Sequence, residues 1–152
     1  MIALAWLLIG GLVWLVMDGW VTRQATPGLS LIDGDVVLSR NAAGHYVAPG
    51  EINGVPVLFL IDTGATRVAF SAATADRVGA RRGAAMRAQT AQGETISYAS
   101  RLDSVNLGGM VAHDVGGAIV PAMPDDTVLL GMTFLSRFRL SMTGDSLRLS
   151  PR

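Results

Sequence analysis

Cysteine is absent from this 152-residue chain, and so is lysine; all 12 basic residues are arginine, set against 12 acidic ones. Without cysteine there is neither a disulfide framework nor a thiolate metal site. The absence does not fix the compartment, because an oxidising one permits disulfides without requiring them. A formal net charge of zero leaves no electrostatic footprint for nucleic acid, so no nucleic-acid partner is expected. The arginine-only basic set, beside abundant Ala and Gly, reads as genome composition rather than function. Histidine occurs only twice, at His45 and His113, and a metal site needs more ligands than these separated residues offer. Neither a metal nor a cofactor is expected.

The length suits one domain of ordinary size. Half of the residues are hydrophobic and the mean hydropathy is +0.41, with the excess gathered at the N-terminal end. The chain is uncharged from Ile2 to Met17, with Trp6 and Trp14 inside the run, and Asp18 is followed by Gly19, Trp20 and Val21. Counted through Val21 this reaches the roughly 20 residues that span a bilayer. It shows no polar face of the kind a buried core helix carries. Trp20 would lie near an interface, where indole rings favour the headgroup level. A cleaved signal peptide would want a basic start and a small-x-small cleavage site, and neither is evident. Residues 1–21 are therefore expected to be an uncleaved transmembrane anchor. Residues 22–43, with Pro27, Gly28 and Gly34, read as a linker holding a possible short strand at Asp35 to Ser39.

From His45 onward short apolar segments alternate with turn signals, the all-β pattern. Asn53-Gly54 is the strongest two-residue hairpin signal and joins Glu51-Ile52 to Val55–Ile61. Ser71 is placed to N-cap a short helix over Ala72–Val78 that Gly79 ends. Arg81 to Arg87 reads as an exposed connection, and Gln89 to Ala99 as a second hairpin with its tip near Gln92 and Gly93. Leu102, Val105 and Leu107 alternate up to Gly108-Gly109, and Val115 to Val120 is another strand. Val128-Leu129-Leu130-Gly131 precedes a helical turn at Thr133 to Arg137, and strands at Phe138 to Met142 and Ser146 to Ser150 close the chain.

The chemistry-bearing stretch is residues 57–70, where the apolar run Val57 to Ile61 delivers Asp62 into a turn made by Thr63 and Gly64. A carboxylate in that position is costly to bury unless it is hydrogen-bonded, paired or protonated. Gly64 lets backbone N–H groups approach it, and Thr63 and Thr66 supply hydroxyls that can brace it. The plainer alternative is an Asx-turn in which Asp62 caps its own backbone.

Taken together, Gly44-His45-Tyr46, Ile52-Asn53-Gly54, Phe59-Leu60-Ile61-Asp62-Thr63-Gly64-Ala65-Thr66 and Leu129-Leu130-Gly131-Met132-Thr133-Phe134-Leu135 resemble the retropepsin-like aspartic proteases, in their bacterial membrane-anchored branch. The resemblance covers about residues 44–150. It implies an all-β fold, a closed retropepsin-like β-barrel with one or two short helices, preceded by a single N-terminal transmembrane helix, with the protease domain over residues 44–152. It implies that Asp62 is the catalytic aspartate in a loop formed by Thr63, Gly64, Ala65 and Thr66. Thr63 would brace two such loops across a dimer axis, and Leu129, Leu130 and Gly131 would support the loop from below. The hairpin of Gln89, Thr90, Ala91, Gln92, Gly93, Glu94 and Thr95 would be a flap over peptide substrate. Thr66 stands where the family often has serine, which keeps the hydroxyl, and His45 would hold a structural hydrogen bond.

Aspartic proteases need two carboxylates sharing a proton, because like charges about 3 Å apart cannot both ionise. This chain has one Asp-Thr-Gly, so it supplies half a site, and a homodimer acting on peptide or protein is implied. The resemblance also places the domain on the periplasmic side of a bacterial inner membrane, whereas Arg23, just past the apolar run, taken literally favours the cytoplasm. Two rivals remain: a peptide-binding or dimerisation module of the same fold that does not cut, and an anchored structural domain in which Asp62 only caps a turn.

Overall fold

The computed structural model describes residues 28–90 and 93–152. The expected anchor at residues 1–21 lies outside the described residues, as do the first part of the linker, residues 22–27, and residues 91–92 of the expected flap. Among the described residues, no helix is long and apolar enough to cross a membrane.

The described residues form eleven strands and two short helices, in the order β1 (Gly28–Ile32), β2 (Asp35–Ser39), β3 (Val47–Ile52), β4 (Val55–Ile61), β5 (Val68–Phe70), α1 (Ala72–Val78), β6 (Ala85–Thr90), β7 (Gly93–Leu107), β8 (Met110–Ile119), β9 (Val128–Leu130), α2 (Met132–Leu135), β10 (Arg139–Thr143) and β11 (Ser146–Ser150). The larger sheet runs β3-β4-β9-β5-β8-β7-β6, and a further pairing of β3 with β7, Glu51 opposite Asn106 and Ile52 opposite Val105, closes six of these strands into a barrel. A second, four-stranded sheet, β1-β2-β11-β10, packs Val36, Leu38, Leu147 and Leu149 into the same core.

Turn chemistry sets the hairpins. Asn53 and Gly54 both adopt positive φ (51° and 76°), the geometry a two-residue hairpin demands and Asn-Gly supplies. The Asn53 side chain then ties the hairpin sideways: Nδ2 donates to Val78 O at 3.0 Å and Oδ1 accepts from Ser104 N at 3.1 Å. The helix over Ala72–Val78 forms as its caps dictate. Ser71 Oγ accepts from Thr74 N at 3.1 Å, and Gly79 ends the helix in the left-handed region at φ 69°.

Apolar alternation sets the core. Phe59, Phe70, Phe134, Leu102, Leu107 and Leu130 are fully buried, each contributing roughly 1.5–3 kcal/mol of apolar burial. Among the described residues the buried polar ones, Ser71, Thr74, Ser97 and Ser100, all have hydrogen-bond partners.

Three elements differ from the sequence reading. The possible short strand at Asp35 to Ser39 forms as β2, whereas Gly28–Ile32, read as linker, is a further strand, β1, paired with it, and β11 pairs with its other edge. The Asp33-Gly34 pair, with φ 52° and 85°, is a hairpin turn of the same kind as Asn53-Gly54. The supposed exposed connection ends early, because Ala85 to Arg87 already belong to β6. The second hairpin and the alternating run after it are one 15-residue strand, β7.

Candidate active site

Two parallel pairings build the site. β4 lies parallel to β9, with Ile61 opposite Leu130, and β5 lies parallel to β8. β9 also meets β5 antiparallel at Ala69 and Leu129. The segment from Asp62 to Arg67 therefore leaves one neighbour of β9 and returns as the other, bridging over its end. Asp62 N donates to Leu130 O at 3.2 Å, Met132 N to Ala65 O at 2.8 Å and Thr133 N to Thr66 O at 2.9 Å. Thr133 Oγ1 anchors the start of α2 to Gly116 O at 2.7 Å. Gly131 is what makes this approach possible: a Cβ there would overlap the carbonyl oxygens of Arg67 and Ala65. Leu130 and Gly131 thus lie directly against the loop, and Leu129 pairs with Leu60 and Ala69 on either side of it.

Asp62 is half-buried. Its Oδ1 accepts from Gly64 N at 2.9 Å, and Ala65 N donates to its carbonyl oxygen at 3.2 Å. The Asx-turn of the plainer reading is therefore present, and it occupies only one carboxylate oxygen. Among the described residues Oδ2 has no hydrogen-bond partner. The hydroxyls of Thr63 and Thr66 do not brace Asp62. Both residues are exposed, and neither hydroxyl bonds to a described residue. Gly64 is exposed as well, and a Cβ on it would sit 3.2 Å from Asp62 Oδ1.

Thr63 opens onto a groove of about 860 Å³ between α2 and β10, lined by Met132, Leu135, Phe138, Leu140 and Met142. Met132 and Met142 are 38% and 48% exposed. The sequence reading did not single out this groove, although the alternation of Phe138, Leu140 and Met142 is a strand face that turns and surface residues do not explain.

The expected flap is the β6–β7 ribbon, in which Gln89 pairs with Glu94 and Thr90 with Gly93. Arg87 and Glu94 approach to 3.5 Å across it, both exposed, and Ile96 is 59% exposed. Thr95 pairs with Ala88.

The two histidines and several other polar residues lie elsewhere. His45 makes its hydrogen bonds through the backbone rather than the ring: its N donates to Asn41 Oδ1 at 2.9 Å, and its carbonyl accepts from Asn41 N at 2.8 Å. The His113 ring meets Asp103 O at 3.3 Å. Asp125 and Asp126 are exposed; Asp125 O accepts from Thr74 Oγ1, and Asp126 Oδ1 from Thr127 Oγ1. Where β2 hands over to β3, the Arg40 guanidinium donates to the Tyr46 hydroxyl at 3.0 Å, a bond that raises its pKa above the ordinary arginine value.

A closed six-stranded barrel with an Asp-Thr-Gly loop seated on a Leu-Leu-Gly strand end defines the class, and comparison bears it out. Residues 48–137, more than half of the chain, match the family described as "gag-polyprotein putative aspartyl protease". The chain belongs to the retropepsin-like aspartic protease family. Among solved structures it is similar to a retropepsin-like aspartic protease from Rickettsia conorii, at 28% identity and a TM-score of 0.65, covering 80% of this chain and 93% of that one. The EIAV protease in complex with the inhibitor HBY-793, 19% identical with a TM-score of 0.50, shares the fold over 60% of this chain and 86% of its own. Among curated proteins, an uncharacterized protein from the cobV 5′ region of Sinorhizobium sp. is 29% identical over 119 residues, 76% of this chain and 51% of the relative. An uncharacterized protein of Rickettsia prowazekii (strain Madrid E) is 28% identical over 109 residues, 70% of this chain and 46% of its own. The chain spans about half the length of these curated relatives.

Proposed function

We propose that this chain is an aspartic endopeptidase that works as a homodimer, with Asp62 of each copy forming the catalytic dyad. The observation that carries the reading is the half-finished state of the loop. Asp62 keeps one carboxylate oxygen unengaged, and next to it the exposed Thr63 hydroxyl bonds to no described residue. Asp-Thr-Gly occurs once in the sequence. A twofold axis beside Thr63 would bring two copies together and cover the apolar groove that holds Met132 and Met142.

In the dimer the two carboxylates share one proton. The ionised Asp62 accepts a proton from a water whose oxygen attacks the scissile carbonyl carbon. The protonated Asp62 meanwhile donates to the carbonyl oxygen, giving a neutral gem-diol. Collapse returns a hydroxyl proton to one carboxylate while the other protonates the departing amide nitrogen, so the C–N bond breaks and the dyad regains its single proton. The exposed Gly64 leaves room for substrate backbone beside the dyad, and the β6–β7 ribbon would close over it.

Residues 1–21 are proposed to anchor the enzyme in a bacterial inner membrane, with the catalytic domain periplasmic. Confinement to two dimensions would raise the effective concentration of monomers and let a weak interface assemble. Degradation of the domain by protease added to spheroplasts, but not to intact cells, supports this orientation; protection in both overturns it.

Cleavage of a peptide library, lost in Asp62→Asn, tests the catalytic reading. Peptide binding without cleavage by wild type, at a concentration where the dimer is verified, would instead support a binding module of the same fold.

A further inference from the structure

Four arginines line a second cleft of about 760 Å³: Arg67, Arg81, Arg82 and Arg101, with Asp103 the sole acidic residue of its lining. Three described ion pairs exist in the domain: Arg87–Glu94, Arg101–Asp114 and Arg148–Asp35. Arg101 is therefore spoken for, at 2.6 Å from Asp114, while Arg67, Arg81 and Arg82 have no carboxylate partner among the described residues. The Arg82 guanidinium lies 4.4 Å from the Tyr98 ring centroid, a contact that positions the cation without neutralising it.

The cleft is built rather than draped. Ser100 Oγ donates to Arg81 O at 2.8 Å, Gly83 N to Ala99 O at 2.7 Å and Ala99 N to Ala84 O at 2.9 Å, so the Arg81–Gly83 segment is fastened to β7 along its length. Asn53 also lines the cleft, and its amide is already committed to Val78 and Ser104.

Arg67 connects this cleft with the catalytic loop. It is the last residue of the segment that begins at Asp62, and it sits beside Gly116, where an added Cβ would come within 3.3 Å of Nη1. Five residues of chain span at most about 18 Å, a distance that an extended peptide covers in about five residues. We infer that the cleft binds acidic side chains, Asp or Glu, of the peptide substrate a few residues from the scissile bond. Guanidinium forks match carboxylates in a bidentate way that a lysine ammonium does not. Continuity with the Asp62 loop favours an acidic peptide over an anionic membrane surface. The inference rests on the endopeptidase reading for its substrate, but binding can be measured without catalysis.

The test uses the full chain carrying Asp62→Asn and fluorescent peptides that differ only in Glu or Gln at flanking positions. The Glu peptide should bind about fivefold tighter or better, the scale of a few partly exposed ion pairs, and the difference should shrink as salt is raised. Arg81→Gln combined with Arg82→Gln should bring the ratio close to one at an unchanged melting temperature. Arg81→Glu should lower the Glu preference further than Arg81→Gln does. Equal binding of Glu and Gln peptides by the chain with its arginines intact overturns the inference, as does a preference that survives the arginine substitutions. Binding confined to vesicles of anionic lipid, with none to the Glu peptide, also overturns it. Glu-dependent binding together with failure of wild type to cut any peptide upholds the cleft and rejects the endopeptidase reading alone.

Discussion

Gly131 lies so close beneath Ala65 that a single added methyl would stand 2.6 Å from the Ala65 carbonyl oxygen. The obstructing atoms are backbone, held by the Met132 N to Ala65 O hydrogen bond, and cannot swing away as a side chain would. Gly131→Ala should therefore destabilise the domain by about 1–3 kcal/mol and displace the Asp62 loop. Urea denaturation checks the first effect and peptide cleavage the second. A stable and fully active Gly131→Ala chain would contradict the packing described.

Asp62→Asn is close to isosteric, and the asparagine Oδ1 can still accept from Gly64 N. Stability should change by less than about 1 kcal/mol, whereas kcat/KM should fall by about 10²-fold or more. If two copies pair their Asp62 carboxylates in a shared-proton dyad, adding a second proton or removing the shared one disables it, so the rate should pass through a maximum with pH. A rate that did not vary with pH would exclude such a dyad.

Thr63→Val removes a hydroxyl that contacts nothing among the described residues, so the melting temperature of the monomer should hold. If two loops brace each other through this residue, twofold symmetry counts the loss twice. The dimer dissociation constant should then rise by about tenfold, as read by sedimentation. An unchanged dissociation constant would remove Thr63 from the interface.

Asn53→Ala strips two hydrogen bonds at once, to Val78 O and Ser104 N, and leaves alanine at φ 51°. The expected loss is about 2–4 kcal/mol. Asn53→Gly should recover the backbone part of that loss while leaving the hydrogen-bond part, and the difference between the two variants separates the causes.

Local signals were legible in the sequence wherever a few neighbouring residues decide the outcome. Ser71 and Gly79 bound α1, Asn53-Gly54 turns a hairpin, and Asp62-Thr63-Gly64 with Leu129-Leu130-Gly131 marks the loop and the strand end it rests on. Pairings between distant strands were not legible, because burial on one face does not name the partner. Val36 and Leu38 alternate as a strand should, but nothing in them specifies β11. The Asp33-Gly34 turn was available as a signal for β1 and was masked by the polar, Gly- and Pro-bearing residues around it. Ala85 to Arg87 lacks the β-branched and aromatic residues that mark strands, so β6 shows its beginning only through its pairing with β7. The arginine cleft escaped for a different reason: Arg67, Arg81, Arg82 and Arg101 are scattered in sequence and meet only when the barrel closes.

The parallel pairing of β4 with β9 also governs when the Asp62 loop takes its shape. Contacts between segments far apart in the chain form late, because the entropy of closing the intervening loop must be met first. The Asp62 loop has no floor until Leu130 and Gly131 arrive from near the other end of the fold. A partly synthesised chain thus carries the aspartate without the support that shapes it. If the chain cuts peptides as proposed, assembly order itself would keep it inactive until β9 has been made.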